Sequence, residues 1–439
     1  MRRGSLVRGP FAFLCSMAPR LQAPPLKGVQ RAVLLVLVVQ AAISSFGVND
    51  LDIYHQAGSD LLAGENAYHK LYNAAYSYLY GPFFALLLAP LFQLGLPLAK
   101  FIWGLISIAC LGRSYGILQR WTGIDQRTAD LRAWTLIIVM LVGFQSIRDN
   151  LNAGQTTPLL LWCMLEAVQQ ARAGRPLPAA LLLAFAIDIK VLPIAGLAYL
   201  VHRRYWRTAL LVPVMLLALQ APPLLVLGRT HYLELAATRW QVLDPRDERH
   251  ILDEEEPDFI SIGALLSAYM SVDGGNQYTL PLPRRVVDLD LDTMKVVILL
   301  ARLALIASVL FFMGTPFRGA DKAGVPRAFA LSYILLMIPL AFPHQQGYST
   351  LFALPALLLL VVTLLHERGA RRPLPISVAI GLVITALTFS LHLLLGQFGP
   401  VYDHYKVQTF GLLLAALLLA VWAYPERHTA FSGEESTGT

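Results

Sequence analysis

Residues 32–54 read AVLLVLVVQAAISSFGVNDLDIY, and this stretch decides how the chain is organised. Its charge-free part, 32–48, is just long enough for a transmembrane helix, which needs about 17 to 25 apolar residues. The tail before it is basic, so the positive-inside rule predicts that the tail is cytoplasmic and that the span leads outward. Asp50 and Asp52 therefore follow the span directly, at the outer membrane face.

The composition agrees with many membrane crossings. Hydrophobic residues make up 56% and charged residues 14% of the 439 residues, with a mean hydropathy of +0.56, whereas a soluble domain carries about 25% charged residues. These values exclude a soluble enzyme, a disordered chain, a nucleic-acid-binding protein and a secreted disulfide scaffold. Basic cytoplasmic loops explain the net charge of +7. The three cysteines have no spacing that indicates a metal site or a disulfide network.

Hydropathy and basic loops together predict an all-α polytopic membrane protein, a bundle of about twelve transmembrane helices with both termini inside. The predicted spans are 32–48, 98–117, 133–147, 157–171, 177–189, 191–202, 208–227, 294–313, 328–342, 348–365, 375–396 and 407–424. The proline-containing piece 81–96 is predicted to form a re-entrant or in-plane hairpin, because a crossing there would place the basic segment 113–132 outside. Lys190 is predicted to lie in a turn between two short helices.

This topology divides the chain into parts with different surroundings. A cytoplasmic tail, a transmembrane domain and a disordered cytoplasmic tail are predicted at 1–31, 32–424 and 425–439. The predicted outer segments are 48–96, 148–156 and 228–293. The long last segment contains an acidic run, 253–258, and two predicted outer-face amphipathic helices, near 230–243 and 259–270.

Asp50 and Asp52 are the first candidates for chemistry. A carboxylate at the membrane face is partly desolvated, which raises its pKa and suits it to act as a general base. Helical spacing turns residues i and i+2 in different directions, so at most one of the two faces a given cleft. The structural alternative is an N-cap with acidic residues in the first turn of a helix over 53–63, which also explains Asp50.

The ends of the first two outer loops hold further polar residues with two explanations each. An interfacial aromatic belt accounts for the tyrosines at 68, 72, 76, 78 and 80, and stacking on a sugar is the alternative role for Tyr80. In the second loop, Gly154 permits close backbone approach. Gln155 opens the next helix, a position that favours anions but that plain capping explains equally well.

Three titratable residues lie where a membrane makes them costly. Lys190 interrupts an apolar stretch and is a candidate to bind a phosphate, while a local ion pair with Asp188 is a competing and compatible explanation. Arg302 lies in the middle of a predicted span, and the same logic applies to it. His344 lies in a polar turn at an outer span end and is a candidate substrate contact, although a lone interfacial histidine is usually structural.

In their order along the chain, these landmarks resemble the motifs of one family. The matching stretches are Asp50-Leu51-Asp52-Ile53-Tyr54 with Gly64 and Tyr68, Tyr80-Gly81-Pro82-Phe83, Gly154-Gln155, Lys190 and Pro343-His344. They are similar to the first-loop pattern, the Tyr-Pro-Pro hairpin, the Gly-Gln helix start, the intramembrane lysine and the late outer-face histidine of glycosyltransferase family 87. That family has the GT-C fold, uses polyprenol-phosphate sugars and includes mycobacterial mannosyltransferases of phosphatidylinositol mannosides. Gly81 stands where the family commonly has proline.

The resemblance implies a GT-C-type catalytic bundle in a membrane, expected to be the bacterial cytoplasmic membrane. It implies inverting transfer of a hexose, mannose before others, from a polyprenyl-phosphate carrier to a lipid-linked or cell-surface glycan on the outer face. Asp50 matches the family's catalytic aspartate. The residues expected to bind substrate are Asp52, Tyr54, Tyr80, Arg148, Asn152, Gln155, Lys190, Arg302 and His344. The lipid-linked sugar is a substrate, so no cofactor and no metal ligand is predicted; the expected partners are donor, acceptor and membrane lipids, without nucleic acid.

Three other functions compete with this interpretation. A transporter or flippase of lipid-linked sugars predicts polar residues deep on both sides of a pathway, whereas those here cluster toward the outer face. A glycan polymerase or ligase usually centres on Arg and His in late outer loops, whereas the strongest signal here is the early Asp50. A structural membrane scaffold leaves the costly Lys190 and Arg302 without a purpose.

Overall fold

The computed structural model describes residues 24–73, 76–244, 247–271, 280–314, 326–369 and 373–423, and the predicted tails and the basic cluster within 315–325 lie largely outside them. The helices of this part are α1 (Leu26–Ser44), α2 (Asp50–Leu62), α3 (Pro82–Phe92), α4 (Leu96–Trp121), α5 (Ala129–Asn152), α6 (Thr157–Arg172), α7 (Pro176–Ile189), α8 (Ile194–His202), α9 (Trp206–Leu219), α10 (Ala221–Leu227), α11 (Arg229–Val242), α12 (Glu248–Leu252), α13 (Ile262–Met270), α14 (Leu291–Phe312), α15 (Arg327–Ala341), α16 (Leu354–Gly369), α17 (Ile376–Leu395), α18 (Gly399–His404) and α19 (Val407–Val421). Two short strands, β1 (Leu71–Tyr72) and β2 (Tyr76–Ser77), pair antiparallel. The all-helical prediction is therefore confirmed for the described chain, apart from this hairpin.

Several helices are long and apolar enough to cross a membrane, so the protein is an integral, multi-pass membrane protein. In the described chain six segments meet this criterion: Leu26–Ser44, Leu96–Trp121, Ala129–Asn152, Trp206–Leu227, Leu291–Phe312 and Gly347–Glu367. The pair Ile376–His392 and Gly396–His404, bent by 104°, would make a seventh. The predicted number of about twelve is not confirmed, because α7, α15 and α19 are short. At about 1.5 Å per residue they span about 21 to 23 Å, against a hydrocarbon core of about 30 Å.

The core of the bundle lies around α15. Residues 327–340 of this helix are all buried, and it packs against α16, α14 and α19. In contrast, only 6% of the apolar window of α14 and 11% of that of the α9–α10 span is buried within the protein. A helix that is hydrophobic all round needs either protein or lipid on every side, so α14 and α9 form the lipid-facing periphery.

The predicted breaks between helices agree with the structure. α3 has only 11 residues; Gly81 before it contacts Asp188 at the end of α7, and Lys100 after it bonds to Gly47. Because Gly47 and Asp188 both lie at one end of the bundle, the piece 81–96 returns to the end it left. α7 and α8 flank a turn at Lys190, and α11 and α13 match the two predicted outer helices, whereas α12 was not predicted.

Candidate active site

The start of α2 shows that capping is not the work of Asp50. The Asn49 side chain accepts a hydrogen bond from the Leu51 N–H at 3.1 Å, and the Asp52 carboxylate accepts one from the Asn49 N–H at 2.7 Å. This is a capping box. Asp52 also forms a buried ion pair with Lys100, with Nζ 2.7 Å from Oδ2. Asp52 is thus bound to its own helix and to α4, and Asp50 points elsewhere.

The loop after α5 holds the Asp50 carboxylate. Gln155 Nε2 donates to Asp50 Oδ2 at 2.6 Å, and the Tyr54 hydroxyl lies 3.4 Å from the same oxygen. The Asp50 N–H donates to the Ala153 carbonyl at 3.1 Å. Gly154, which lies between Ala153 and Gln155 in the sequence, has a φ of +63°, a left-handed conformation that glycine adopts without strain. The segment Ala153-Gly154-Gln155 therefore binds the first turn of α2 and holds the Asp50 carboxylate in place.

Lys190 reaches the same place from α7. Its Nζ lies 6.0 Å from the ring centre of Tyr80 and 5.5 Å from that of Tyr348, distances typical of weak cation–π contacts. Within the described residues no hydrogen bond or ion pair holds this ammonium group. Asp188 instead pairs with Arg239, so the local Asp188–Lys190 ion pair considered from the sequence is wrong.

Asp50, Tyr54, Tyr80, Gln155, Lys190 and Tyr348 together form what we call the Asp50 pocket. Burial raises the pKa of Asp50 to about 6, against the lowering effects of the Lys190 charge and of the hydrogen bond from Gln155. A carboxylate whose pKa lies near the working pH is suited to accept a proton. The pocket thus combines a carboxylate whose pKa suits it to accept a proton with an ammonium group that no side chain of the described residues contacts in an ion pair.

The tyrosines of the first loop form part of the core, and the predicted interfacial belt is wrong for most of them. Tyr68, Tyr72, Tyr78 and Tyr80 are at most 8% exposed, and only Tyr76 reaches 47%. Tyr54 packs edge-on against Tyr80, with ring centres 4.8 Å apart. Tyr72 of β1 donates to Asp60 of α2 at 2.8 Å, so the first-loop tyrosines lie against α2, and the Tyr80 ring lines the pocket.

A second group of polar and charged residues, which we call the Asp253 cluster, lies beside the pocket and consists of Asp253, Ser261, Arg302, His344 and Lys406. The Asp253 carboxylate accepts from the His344 N–H at 2.8 Å and from the Ser261 hydroxyl. Lys406 donates to the Pro257 carbonyl at 2.8 Å, and Arg302 donates to the His250 carbonyl at 3.0 Å. These bonds fasten the acidic run 253–258 to the bundle.

His344 and Asp253 have shifted pKa values for one common reason. Burial is the largest cause of both shifts: it lowers the pKa of His344 to about 4 and raises that of Asp253 to about 6. His344 is therefore a neutral imidazole at neutral pH, and its Nε2 is buried without a hydrogen-bond partner in the described chain. In that part of the protein, no group of three or more His, Cys, Asp or Glu residues is arranged to hold a metal ion.

Two of the predicted site residues lie at the end of α5. Asn152 Oδ1 accepts hydrogen bonds from Gln40 and Ser44 of α1, both at 2.6 Å. Arg148 is more than a third exposed, and its Nη1 lies 3.6 Å from the Asp149 carboxylate. Of the predicted residues, the structure thus brings together Asp50, Tyr54, Tyr80, Gln155 and Lys190.

Sequence reasoning missed three residues around this site: Lys100, Arg239 and Tyr348. Lys100 had a weak signal, since it is a cation at the head of a predicted span, on the side where Asp52 was expected. Tyr348 ends the polar turn that begins before His344, so proximity in sequence pointed to it. Arg239 had no signal, because its partner Asp188 lies 51 positions away.

Comparisons with known proteins bear on the identity of the chain. Among solved structures, the crystal structure of ArnT from Cupriavidus metallidurans bound to undecaprenyl phosphate is similar to the structure of this chain. The TM-score is 0.45 and the sequence identity 15%, and the match covers 89% of this chain and 76% of the ArnT chain. No curated protein matches the chain significantly. The sequence model of glycosyltransferase family 87 matches residues 78–343, more than half of the chain and the part that carries Tyr80, Gln155 and Lys190. The chain therefore belongs to glycosyltransferase family 87.

Proposed function

We propose that this glycosyltransferase moves a hexose, mannose before others, from a polyprenyl-phosphate carrier to a lipid-linked or cell-surface glycan acceptor. One juxtaposition carries the proposal: the Asp50 carboxylate, held by Gln155, and the Lys190 ammonium, without a hydrogen-bond partner in the described residues, share one aromatic-lined pocket. Transfer from a sugar phosphate needs a base for the acceptor hydroxyl and a fixed cation for the leaving phosphate.

In the proposed reaction a single displacement inverts the anomeric carbon. Asp50 takes the proton of the acceptor hydroxyl while that oxygen attacks the anomeric carbon, and the bond from this carbon to the phosphate oxygen breaks. The electron pair leaves with the polyprenyl phosphate, whose charge Lys190 offsets. Inversion requires no second, nucleophilic carboxylate. The rings of Tyr80 and Tyr348 flank the sugar, and Gln155 keeps Asp50 in place.

The remaining predicted contacts divide by whether their polar atoms are engaged. His344 keeps a proposed substrate contact, because its buried Nε2 has no partner within the described chain. Arg148 keeps one for an anionic substrate group, since it is exposed and only loosely paired. Asp52, Asn152 and Arg302 are left out of the proposed contacts, because their side chains already bind other parts of the protein.

The proposed location follows from the pocket's place at the end of the bundle after α1. With the basic tail inside, this end faces outward, so the active site of a domain over 32–424 would open on the outer face of a bacterial cytoplasmic membrane. A lipid-linked donor suits this place, because its phosphate lies at the membrane surface while its chain stays in the bilayer.

The experiment is in vitro transfer from polyprenyl-phosphate mannose by protein purified in detergent, with a lipid extract of the source organism as acceptor. Asp50→Asn should reduce transfer about 10²- to 10⁴-fold, since the amide cannot accept the proton. Undecaprenyl phosphate should still bind, because the aspartate acts on the acceptor. The matched control is Asp292→Asn, whose carboxylate is 96% exposed in the first turn of α14, and it should stay active.

Two results would contradict the proposal. Full activity of Asp50→Asn would remove Asp50 as the base. Transfer from polyprenyl-phosphate glucose or galactose, but not from the mannose donor, would keep the mechanism and correct the sugar. Mass spectrometry of the lipid-linked products distinguishes these outcomes, because it reports both the mass and the acceptor of the product.

A further inference from the structure

Arg239 lies outside the Asp50 pocket but holds the helix end that presents Lys190. α7 ends at Ile189, and Lys190 has extended backbone angles, φ −145° and ψ 136°. The carbonyls of the last helical turn therefore lack partners within the helix. Arg239 Nη2 donates to the Asp188 carbonyl at 2.8 Å, and its Nη1 lies 3.9 Å from the Asp188 carboxylate.

Asp188 is a buried junction between the two sides of the pocket. Its side chain is 2% exposed, and its Oδ1 accepts from Gln220 Nε2 at 2.8 Å. Gly81 also lies against Asp188, because a β-carbon at Gly81 would stand 2.7 Å from Asp188 Oδ2 and 2.8 Å from the Asp188 carbonyl oxygen. Gly81 directly follows Tyr80. Asp188 therefore contacts the backbone beside Tyr80 and lies two residues before Lys190, so its position affects both of these pocket residues.

The helix that carries Arg239 is itself anchored to the first outer loop. Thr238, the neighbour of Arg239 on α11, accepts a hydrogen bond from Asn66 Nδ2 at 3.0 Å. α11 opens the long segment 228–293, and it packs against the turn at Ala67–His69. The arginine is therefore fixed relative to the loop that begins with Asp50.

We propose that Arg239 is a positioning residue for the donor phosphate: by holding Asp188 it aims the Lys190 ammonium into the Asp50 pocket. This inference rests on the proposed function, which gives Lys190 the phosphate. Arginine suits the task because its rigid, planar fork offers separate nitrogens to the carbonyl and to the carboxylate, whereas lysine presents one ammonium group on a flexible stem. The carbonyl end of a helix also carries partial negative charge and favours a cation. Donor affinity thus depends on a helix of the outer segment that does not touch the donor.

The test measures the Kd of undecaprenyl phosphate for detergent-purified protein. Arg239→Gln should raise this Kd about tenfold, the loss expected for one charge-assisted hydrogen bond. The Kd of Arg239→Lys should lie between the Kd of the unaltered protein and that of Arg239→Gln, because lysine keeps the charge but lacks the planar fork of the guanidinium group. The matched control is Arg229→Gln, an exposed arginine of the same helix, whose Kd should equal that of the unaltered protein. An unchanged Kd for Arg239→Gln would overturn the inference.

A double-variant cycle separates positioning from a general loss of structure. In a Lys190→Gln background, Arg239→Gln should weaken binding no further, since it acts through Lys190; an additional tenfold loss would overturn the inference. If Lys190→Gln weakens binding and Arg239→Gln does not, only the inference fails. If Lys190→Gln binds normally, the proposed donor site fails as well. Gly81→Ala displaces Asp188 without altering Arg239, because its β-carbon would stand 2.7 Å from the Asp188 carboxylate, and it should weaken binding even if the arginine variants fold poorly.

Discussion

The Asp50 pocket and the Asp253 cluster are neighbours that each contain an aspartate and a lysine, yet they use these charges in opposite ways. In the pocket, Asp50 lies in regular helical backbone, and the ammonium group of Lys190 has no hydrogen-bond or ion-pair partner within the described chain. In the cluster, Asp253, Arg302 and Lys406 all bind backbone groups of other segments. The pocket keeps its charges available for a ligand, and the cluster uses them to hold the protein together.

The backbone of the cluster explains why it needs so many bonds. Asp253, His344 and Lys406 have φ values of +59°, +54° and +51°, a left-handed conformation that costs a residue other than glycine about 1 to 2 kcal/mol. The bonds between these segments hold that conformation in place. They also fix the turn that leads from His344 to Tyr348, which is a wall of the Asp50 pocket. The two regions thus differ in how far their polar atoms are engaged, and this difference, rather than the residue type, is the basis for assigning the proposed chemistry to the pocket and support to the cluster.

The largest loss of donor affinity is expected when the cation of the pocket is removed. Lys190→Ala should raise the Kd of undecaprenyl phosphate about 100-fold, because the phosphate loses its direct counter-charge. Lys190→Arg should restore binding only in part, since a guanidinium is wider and planar. Thermal unfolding in detergent should change little, because the Lys190 ammonium group, which the substitution removes, makes no hydrogen bond in the described chain, and the backbone bond from Lys190 to Ala186 is kept. Lys295→Ala, near the start of α14, is the control, and normal affinity of Lys190→Ala would remove this residue from the site.

The complementary change in the cluster should affect stability instead. Asp253→Asn replaces an acceptor of two hydrogen bonds by a group that presents a donor to one of them, which should lower the free energy of unfolding by about 1 to 3 kcal/mol. Transfer per folded molecule should stay within about threefold of normal if the residue is structural. Glu255→Gln, an exposed neighbour, should change neither. A loss of transfer without a loss of stability would assign Asp253 to the chemistry.

The sequence predicted the residues whose position follows from a local signal. Asp50 follows a membrane span, Gln155 opens a helix and Lys190 interrupts an apolar run, so each was expected at the same end of the bundle before any packing was known. Hydropathy also predicted the break at Lys190. It did not predict the lengths of the apolar helices, because these depend on where helices end rather than on how apolar the chain is.

Pairings between distant segments were beyond sequence reasoning. The ion pair of Asp52 with Lys100 joins positions 48 apart, and it forms only because α2 lies beside the start of α4. The first-loop tyrosines suggested an aromatic belt at the membrane interface, because composition alone does not show that these side chains pack against α2. Tyr348 became part of the pocket through the strained turn that the Asp253 cluster holds. These features depend on the tertiary fold and left no periodic pattern.

The smallest expected effect is a shift in the pH dependence of transfer. Asp50 must be ionised to accept a proton, and its pKa is about 6 because burial outweighs the Lys190 charge and the Gln155 bond. The kcat/KM should therefore be constant at higher pH and fall as the pH drops through about 6. Gln155→Met removes a hydrogen bond that favours the ionised form. The pKa of Asp50 should then rise, and the acid limb should move up by about half to one pH unit.

Gln345→Met is the matched control for Gln155→Met. Gln345 is also buried, but its Nε2 donates to the Pro343 carbonyl beside the Asp253 cluster rather than to Asp50. Its loss should leave the acid limb where it was. If kcat/KM instead falls near pH 4, and Gln155→Met does not move this acid limb, the base would be His344, because burial lowers the pKa of His344 to about 4. The base would then belong to the Asp253 cluster, and the assignment of chemistry to one region and support to the other would be reversed.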